Sequence, residues 1–174
     1  MKRFLITSSG ERTWNYKKPI IFLGEWCKKY SRKNTWQKLD HITSDPYGNN
    51  NKQKIQDSKL AIEIENNLIL KIKNTLNDLH NVNYDQRMWM IIIGPWLRRY
   101  SSLIINRVNV LKSCLDKYDI DETCFEYTSE KLLIKNDSKT SANAFENEIW
   151  NQYLNYEILK LINNKSIKIK LIDN

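Results

Sequence analysis

Two short apolar runs, each cut off by turn chemistry, constrain this chain more tightly than any other feature. Phe4-Leu5-Ile6-Thr7 stops at Ser8-Ser9-Gly10, and Ile20-Ile21-Phe22-Leu23, entered from Pro19, stops at Gly24. Runs this short lack the length of a helix, and runs this continuous lack a polar face, so they suit strands buried on both sides of a parallel sheet. The pattern predicts that residues 3–7 and 19–24 are adjacent parallel strands. The competing arrangement is an antiparallel hairpin through residues 11–18. In parallel sheets ligands gather at the carboxyl ends of strands, which directs attention to residues 8–11 and 24–27.

The rest of the chain alternates helical and strand patterns. Residues 45–52, with Asp45-Pro46-Tyr47-Gly48 and an asparagine run, read as a loop. A helix is expected from Gln53 to His80, because Ile55, Ile62, Ile69 and Leu76 recur with a seven-residue period. A second helical stretch from Asp85 to Tyr118 carries Trp89, Ile93, Trp96, Tyr100 and Leu111 on its apolar side, and Pro95 should kink or split it near residues 91–94. Residues 124–127 and 131–134 are expected as short strands and 135–143 as a polar loop. A third helix is expected through Phe145, Ile149, Trp150, Tyr153, Ile158 and Ile162. Ile167-Lys168-Ile169-Lys170-Leu171 alternates with period two, as a strand with one wet face does. The order of elements predicts one helix-rich α/β domain over residues 1–174.

The charge is concentrated at one end. Of 28 Lys and Arg residues against 20 Asp and Glu, residues 1–38 hold ten basic and only two acidic groups, Glu11 and Glu25, and so account for the whole net charge of +8. Such a field attracts phosphate, on a sugar nucleotide, a lipid head group or nucleic acid. No helix-turn-helix, zinc-finger or RNP signature organises nucleic-acid binding, so that partner is not expected. The longest apolar run, residues 88–97, has about half of the ~20 residues that a bilayer requires, and the chain reads as cytoplasmic. Cys27, Cys114 and Cys124 form no C-x-x-C pair, and with only His41 and His80 beside them no zinc spacing can be assembled. No metal is expected.

The densest group of reactive side chains lies just past the second strand, in Phe22-Leu23-Gly24-Glu25-Trp26-Cys27-Lys28-Lys29-Tyr30-Ser31-Arg32-Lys33. Glu25 is a candidate general base for an acceptor hydroxyl. Trp26 and Tyr30 could stack on a sugar or base, and Arg32 could grip a phosphate through two N–H groups. The plainer reading is that Glu25 caps a helix start and Trp26 packs in the core.

These residues carry a resemblance. Glu11-x-Thr13-Trp14 followed by Phe22-Leu23-Gly24-Glu25-Trp26-Cys27-x-x-Tyr30-x-Arg32 is similar to the opening of the transferases found in O-antigen and surface-carbohydrate gene clusters. Arg87-x-Trp89 and Gly94-Pro95-Trp96-Leu97 resemble the next family block, with His80 just upstream and Asn106-Arg107 where an Asp-Arg pair is usual. Met88 and Met90 stand where the family has an aromatic and a basic residue. Residues 146–153, with Trp150-Asn151 inside, resemble a third block.

The resemblance implies a Rossmann-like layer equivalent to the amino-terminal half of a two-domain, GT-B-like glycosyltransferase. It implies Arg87 and Arg107 as further substrate-binding residues, His80 as a second catalytic candidate, and Gly94, Pro95 and Trp96 as a structural motif. Glu25, Arg32, Arg87 and Arg107 are expected to converge on one cleft, supported by Trp89 and Trp96. No resident cofactor is implied. A sugar nucleotide is the expected donor, and a glycan or lipid-linked species the acceptor. Family members are several times longer, so a carboxyl-terminal half is the expected partner and this chain by itself is expected to be incomplete. Residues 1–38 are the segment expected to touch the inner membrane face. The competing function is a non-catalytic module holding an anionic partner: a phosphorylated glycan, a lipid head group or nucleic acid.

Overall fold

The computed structural model describes residues 1–48, 50–162 and 167–173. Five strands, β1 (Arg3–Ile6), β2 (Ile20–Phe22), β3 (His41–Thr43), β4 (Ile120–Glu126) and β5 (Lys168–Ile172), form one sheet in the order β3-β2-β1-β4-β5. All four pairings are parallel. β1 and β2 pair in register, Phe4 with Ile20 and Ile6 with Phe22, so the hairpin alternative is excluded. The five helices are α1 (Lys33–Trp36), α2 (Asn51–His80), α3 (Gln86–Lys117), α4 (Ser138–Ala144) and α5 (Glu148–Ile162). This is a helix-rich α/β fold with a Rossmann-like layer. The chain moves outward from β1 through β2 to β3, then returns to the other side of β1 at β4, so the strand order reverses between β1 and β4.

The chain divides into two compact units, residues 1–47 with 107–174, and residues 48–106. The first contains the sheet. Phe4, Ile6, Trp14, Ile20, Phe22 and Cys27 form a buried cluster in it, which is why the first two runs carry no polar alternation. Thr123 on β4 donates its hydroxyl to the Leu5 carbonyl at 2.9 Å, satisfying a polar side chain in a dry strand. β3 has no counterpart in the sequence reading. It is three residues long and only half-buried, so it lacks the continuous apolar signature of the inner strands.

The second unit pairs α2 with the first part of α3. Ile69, Trp89 and Leu97 form its core, with Leu76 and Trp96 packed against them. The seven-residue stripe is buried only over its second half, since Ile55 and Ile62 remain exposed. Asn77 fixes the turn between the helices: its amide donates to the Tyr84 carbonyl and its oxygen accepts from the Tyr84 N–H and the Trp89 indole. Pro95 does not split α3, which is continuous from Gln86 to Lys117. Ile91 and Pro95 are both exposed, so the carbonyl that proline leaves without a donor lies on the solvated side of the helix.

Two segments differ from expectation. Residues 130–133 form a single 3₁₀ turn capped by Ser129, in place of a strand at 131–134. Residues 138–144, expected within a polar loop, form α4, because Asp137 and Thr140 bond reciprocally as a capping box. Both segments are rich in polar residues. Cap geometry, which apolar periodicity does not register, decided their conformation.

Candidate functional site

The loop after β1 is held by side chains from three directions. The Trp26 indole donates to the Thr7 carbonyl at 3.2 Å, the buried Trp14 indole to the Ser8 carbonyl at 3.2 Å, and the Arg32 guanidinium to the Ser9 carbonyl. Each takes a backbone acceptor that the ending strand has released from its ladder. Arg32 also lies 3.8 Å from Glu11. The loop between β1 and β2, which contains one 3₁₀ turn at Glu11–Thr13, thereby gains a defined shape.

Gly24 explains the motif around it. Its φ of −173° is ordinary extended backbone, so conformational freedom is not the reason for glycine here. A Cβ at this position would lie 2.1–2.5 Å from three atoms of the Trp26 ring. The missing side chain lets the indole lie flat against the turn and reach the Thr7 carbonyl. Trp26 remains about half exposed, 51 % of its surface, so one part of the ring anchors the loop while another faces outward.

α5 closes the site from the opposite side. Asn147 caps it, accepting from the Trp150 N–H at 3.0 Å. Glu148, in its first turn, accepts from the Ser9 hydroxyl and from the Lys29 ammonium. Burial alone would raise the Glu148 pKa, but the Lys29 bond and the Ser9 hydroxyl and backbone N–H outweigh it and hold the carboxyl below the usual range. Glu148 is therefore a clasp between loop and helix, tied to Ser9 and Lys29. One and two turns further along the same face stand Asn151 and Asn155. Asn151 accepts from Arg107 Nε at 3.1 Å and donates to the Phe145 and Asn147 carbonyls. Burial pulls the Arg107 pKa down, yet a guanidinium starts so far above neutrality that it stays cationic.

Residues 7–9, Trp26, Arg107, Glu148, Asn151 and Asn155 line a cavity of about 430 Å³ at the carboxyl end of β1, beside the reversal of strand order. Residues 7–9 form one wall and Trp26 another. The polar face of α5 and Arg107 complete it. The volume suits one small polar ligand. Indole, guanidinium and amide groups supply, in turn, a stacking surface, a site for an anion, and hydrogen bonds of both polarities.

Trp26 and Arg107, named from the sequence, both line this cavity. Arg32 acts on its wall through Ser9. Glu25 sits on the same turn as Trp26 but is exposed and paired with Lys28 at 2.9 Å. Tyr30 is 81 % exposed, with Lys33 Nζ 5.4 Å from its ring. Arg87, His80, Gly94, Pro95 and Trp96 belong to the helical unit. There His80 lies 5.7 Å from the Trp89 ring, and Trp96 stacks on Tyr100 at 5.2 Å. A Cβ on Gly94 would come 3.3 Å from Glu65 Oε1, so glycine there lets α2 and α3 approach where the buried Glu65 pairs with the exposed Arg98.

Ser9 lies in the 8–11 stretch and Lys29 in the basic segment marked from the sequence, but neither they nor Glu148 and Asn155 were named as site residues. The one signal for Glu148 was its place at the start of an apolar-periodic helix, where a carboxylate usually serves the helix end. The basic segment is largely paired: Arg3 with Asp40, Arg12 with Glu126, Lys18 with Asp121 and Glu122, Lys28 with Glu25, Lys29 with Glu148 and Arg32 with Glu11. The three cysteines are free, and burial raises the thiols of Cys27 to about 12 and Cys114 to about 11. Among the described residues no group of His, Cys, Asp and Glu could hold a metal ion, and no helix is long and apolar enough to cross a membrane.

A family model described as LIC12162 family transferase matches residues 3–173. No curated protein and no solved structure gives a significant match.

Proposed function

Because the chain belongs to the LIC12162 family of transferases, we propose that it serves glycosyl transfer in surface-carbohydrate synthesis, and that the cavity at the carboxyl end of β1 receives a phosphate-bearing saccharide. The observation that carries this reading is the combination, in one cavity beside the reversal of strand order, of a half-exposed indole with the Arg107 guanidinium and the Asn151 and Asn155 amides. Sugars present an apolar face and a rim of hydroxyls. An indole covers the first, and the Asn155 amide pairs with the second. Arg107 meets the phosphate.

In this reading Trp26 and the wall at residues 7–9 orient the saccharide, and Glu148 and Arg32 keep that wall rigid. Orientation of this kind supplies much of the rate when two reactants must meet. The donor is a sugar nucleotide and the acceptor a glycan or lipid-linked saccharide. Glu25 is the base proposed for the acceptor hydroxyl, and its pairing with Lys28 must open for that role. A module that holds anions by charge alone has less support, because six of the ten basic side chains in residues 1–38 already face carboxylates.

The test is a tryptophan-fluorescence titration of the purified chain with UDP-glucose, UDP-N-acetylglucosamine, GDP-mannose, dTDP-rhamnose and the matching sugar 1-phosphates. Saturable quenching by at least one of them, lost in Trp26→Ala and weakened at least tenfold in Arg107→Ala, is the expected result. Titrations flat across the whole panel, or quenching unchanged in both variants, overturn the assignment of this cavity.

A further inference from the structure

We propose that Asn155 is the specificity-determining residue of the cavity, its side-chain oxygen accepting a hydrogen bond from one hydroxyl or acetamido N–H of the bound saccharide. This inference rests on the saccharide reading above and adds which ligand group the site reads.

Asn155 is 2 % exposed and lines the cavity. No protein group among the described residues donates to its Oδ1. A buried amide oxygen without a donor is costly, and native interiors pair nearly all such atoms. Its neighbour one turn earlier is fully engaged: Asn151 accepts from Arg107 and donates to two backbone carbonyls. The two asparagines thus divide the work. Asn151 orients the cation, and Asn155, beside the cavity, keeps a buried acceptor that no described group satisfies.

The chemistry of that acceptor narrows the ligand. An amide oxygen takes O–H or N–H and offers nothing to a phosphate oxygen or a carboxylate. The anionic part of the ligand therefore faces Arg107, and a hydroxyl or amide N–H of the sugar ring faces Asn155. A site built to pair a donor discriminates strongly against an analogue that lacks it, because the buried acceptor is then left unpaired.

Stability and ligand discrimination test this together. Asn155→Leu, of nearly the same volume, removes the orphaned oxygen. Without ligand its melting temperature should rise by about 2–4 °C, as expected when an unsatisfied buried polar group becomes apolar. For whichever sugar 1-phosphate of the panel binds the unaltered chain, its series of monodeoxy analogues should include one that binds about ten- to hundredfold more weakly. Asn155→Leu should bind the parent and that analogue equally. Asn155→Asp, which keeps an acceptor oxygen in place, should retain the discrimination.

If the unaltered chain binds a sugar phosphate and Asn155→Leu still discriminates against the deoxy analogue, this inference fails and the saccharide reading stands. A lowered melting temperature with discrimination intact assigns Asn155 to packing. Loss of discrimination in Asn155→Asp also overturns the inference. Failure of every sugar phosphate and sugar nucleotide to bind the unaltered chain overturns the saccharide reading itself.

Discussion

At the scale of single residues, Gly24 and Trp26 behave as one unit. The indole occupies the volume that a Cβ at position 24 would need. Gly24→Ala should displace the ring from the Thr7 carbonyl and cost about 1–3 kcal/mol, in the range of other overpacked sites. Chemical denaturation with the Gly24→Ala, Trp26→Ala and double variants checks this. Once the indole is gone, the added methyl should cost less than a few tenths of that, so the two effects will not add. Glu25, by contrast, contributes to no buried contact. Glu25→Gln should leave stability within about 0.5 kcal/mol of the parent, so any loss of transfer activity in that variant would report on chemistry and not on folding.

Individual elements show where polar sequence becomes structure. α4 rests on its cap: Asp137 accepts from the Thr140 N–H at 2.7 Å, and the Thr140 hydroxyl accepts from the Asp137 N–H at 3.3 Å. Asp137→Ala should cost about 1 kcal/mol and accelerate amide exchange over residues 138–144 before the sheet is affected. α5 carries opposite demands on two faces. Trp150, Leu154 and Leu159 are buried with the core, while Glu148, Asn151 and Asn155 face the cavity. Its apolar period made the helix legible from sequence. That its polar stripe faces a cavity and not solvent was not legible, since polar residues on a helix usually mark its wet side.

At the scale of the whole molecule, charge that is separated along the sequence is brought together by the fold. Glu122 on β4 is buried and contacts Lys18, before β2, and Lys170 on β5. The Lys170 and Lys18 ammonium groups, in that order, hold its carboxyl below the ordinary range against the opposing effect of burial. A carboxyl whose folded pKa is depressed contributes stability that is complete above its unfolded value, about 4.3, and is lost as pH falls through the folded value. Glu122→Gln should therefore lose about 1–3 kcal/mol at pH 7, with the gap to the parent closing as acid is added. Urea titrations at pH 7, 5 and 3 measure the gap directly, and one that widens in acid would contradict the assignment.

The same contrast separates what the amino-acid order determined alone from what the fold decided. The inner strands and long helices were legible because burial acts locally: a strand dry on both faces must be apolar throughout, and a helix with one dry face must be apolar every third or fourth residue. Residues 3–7 and 19–24 and the 53–80 helix followed from that rule, and the strand at Lys168–Ile172 from period-two alternation. The edge strand at His41–Thr43 and the capped α4 did not, because edge pairing and cap geometry leave little apolar trace. Of the residues that line the cavity, Trp26 stood out as a residue type and Arg107 through the family resemblance. Ser9, Lys29, Glu148 and Asn155 are ordinary on a surface and become informative only when the chain folds back, bringing residue 148 to residue 9 and leaving residue 155 dry. Charge obeyed the same division. Composition set the +8 total, and tertiary pairing decided which of those cations meet carboxylates, since an ion pair depends on distance in space and not along the chain.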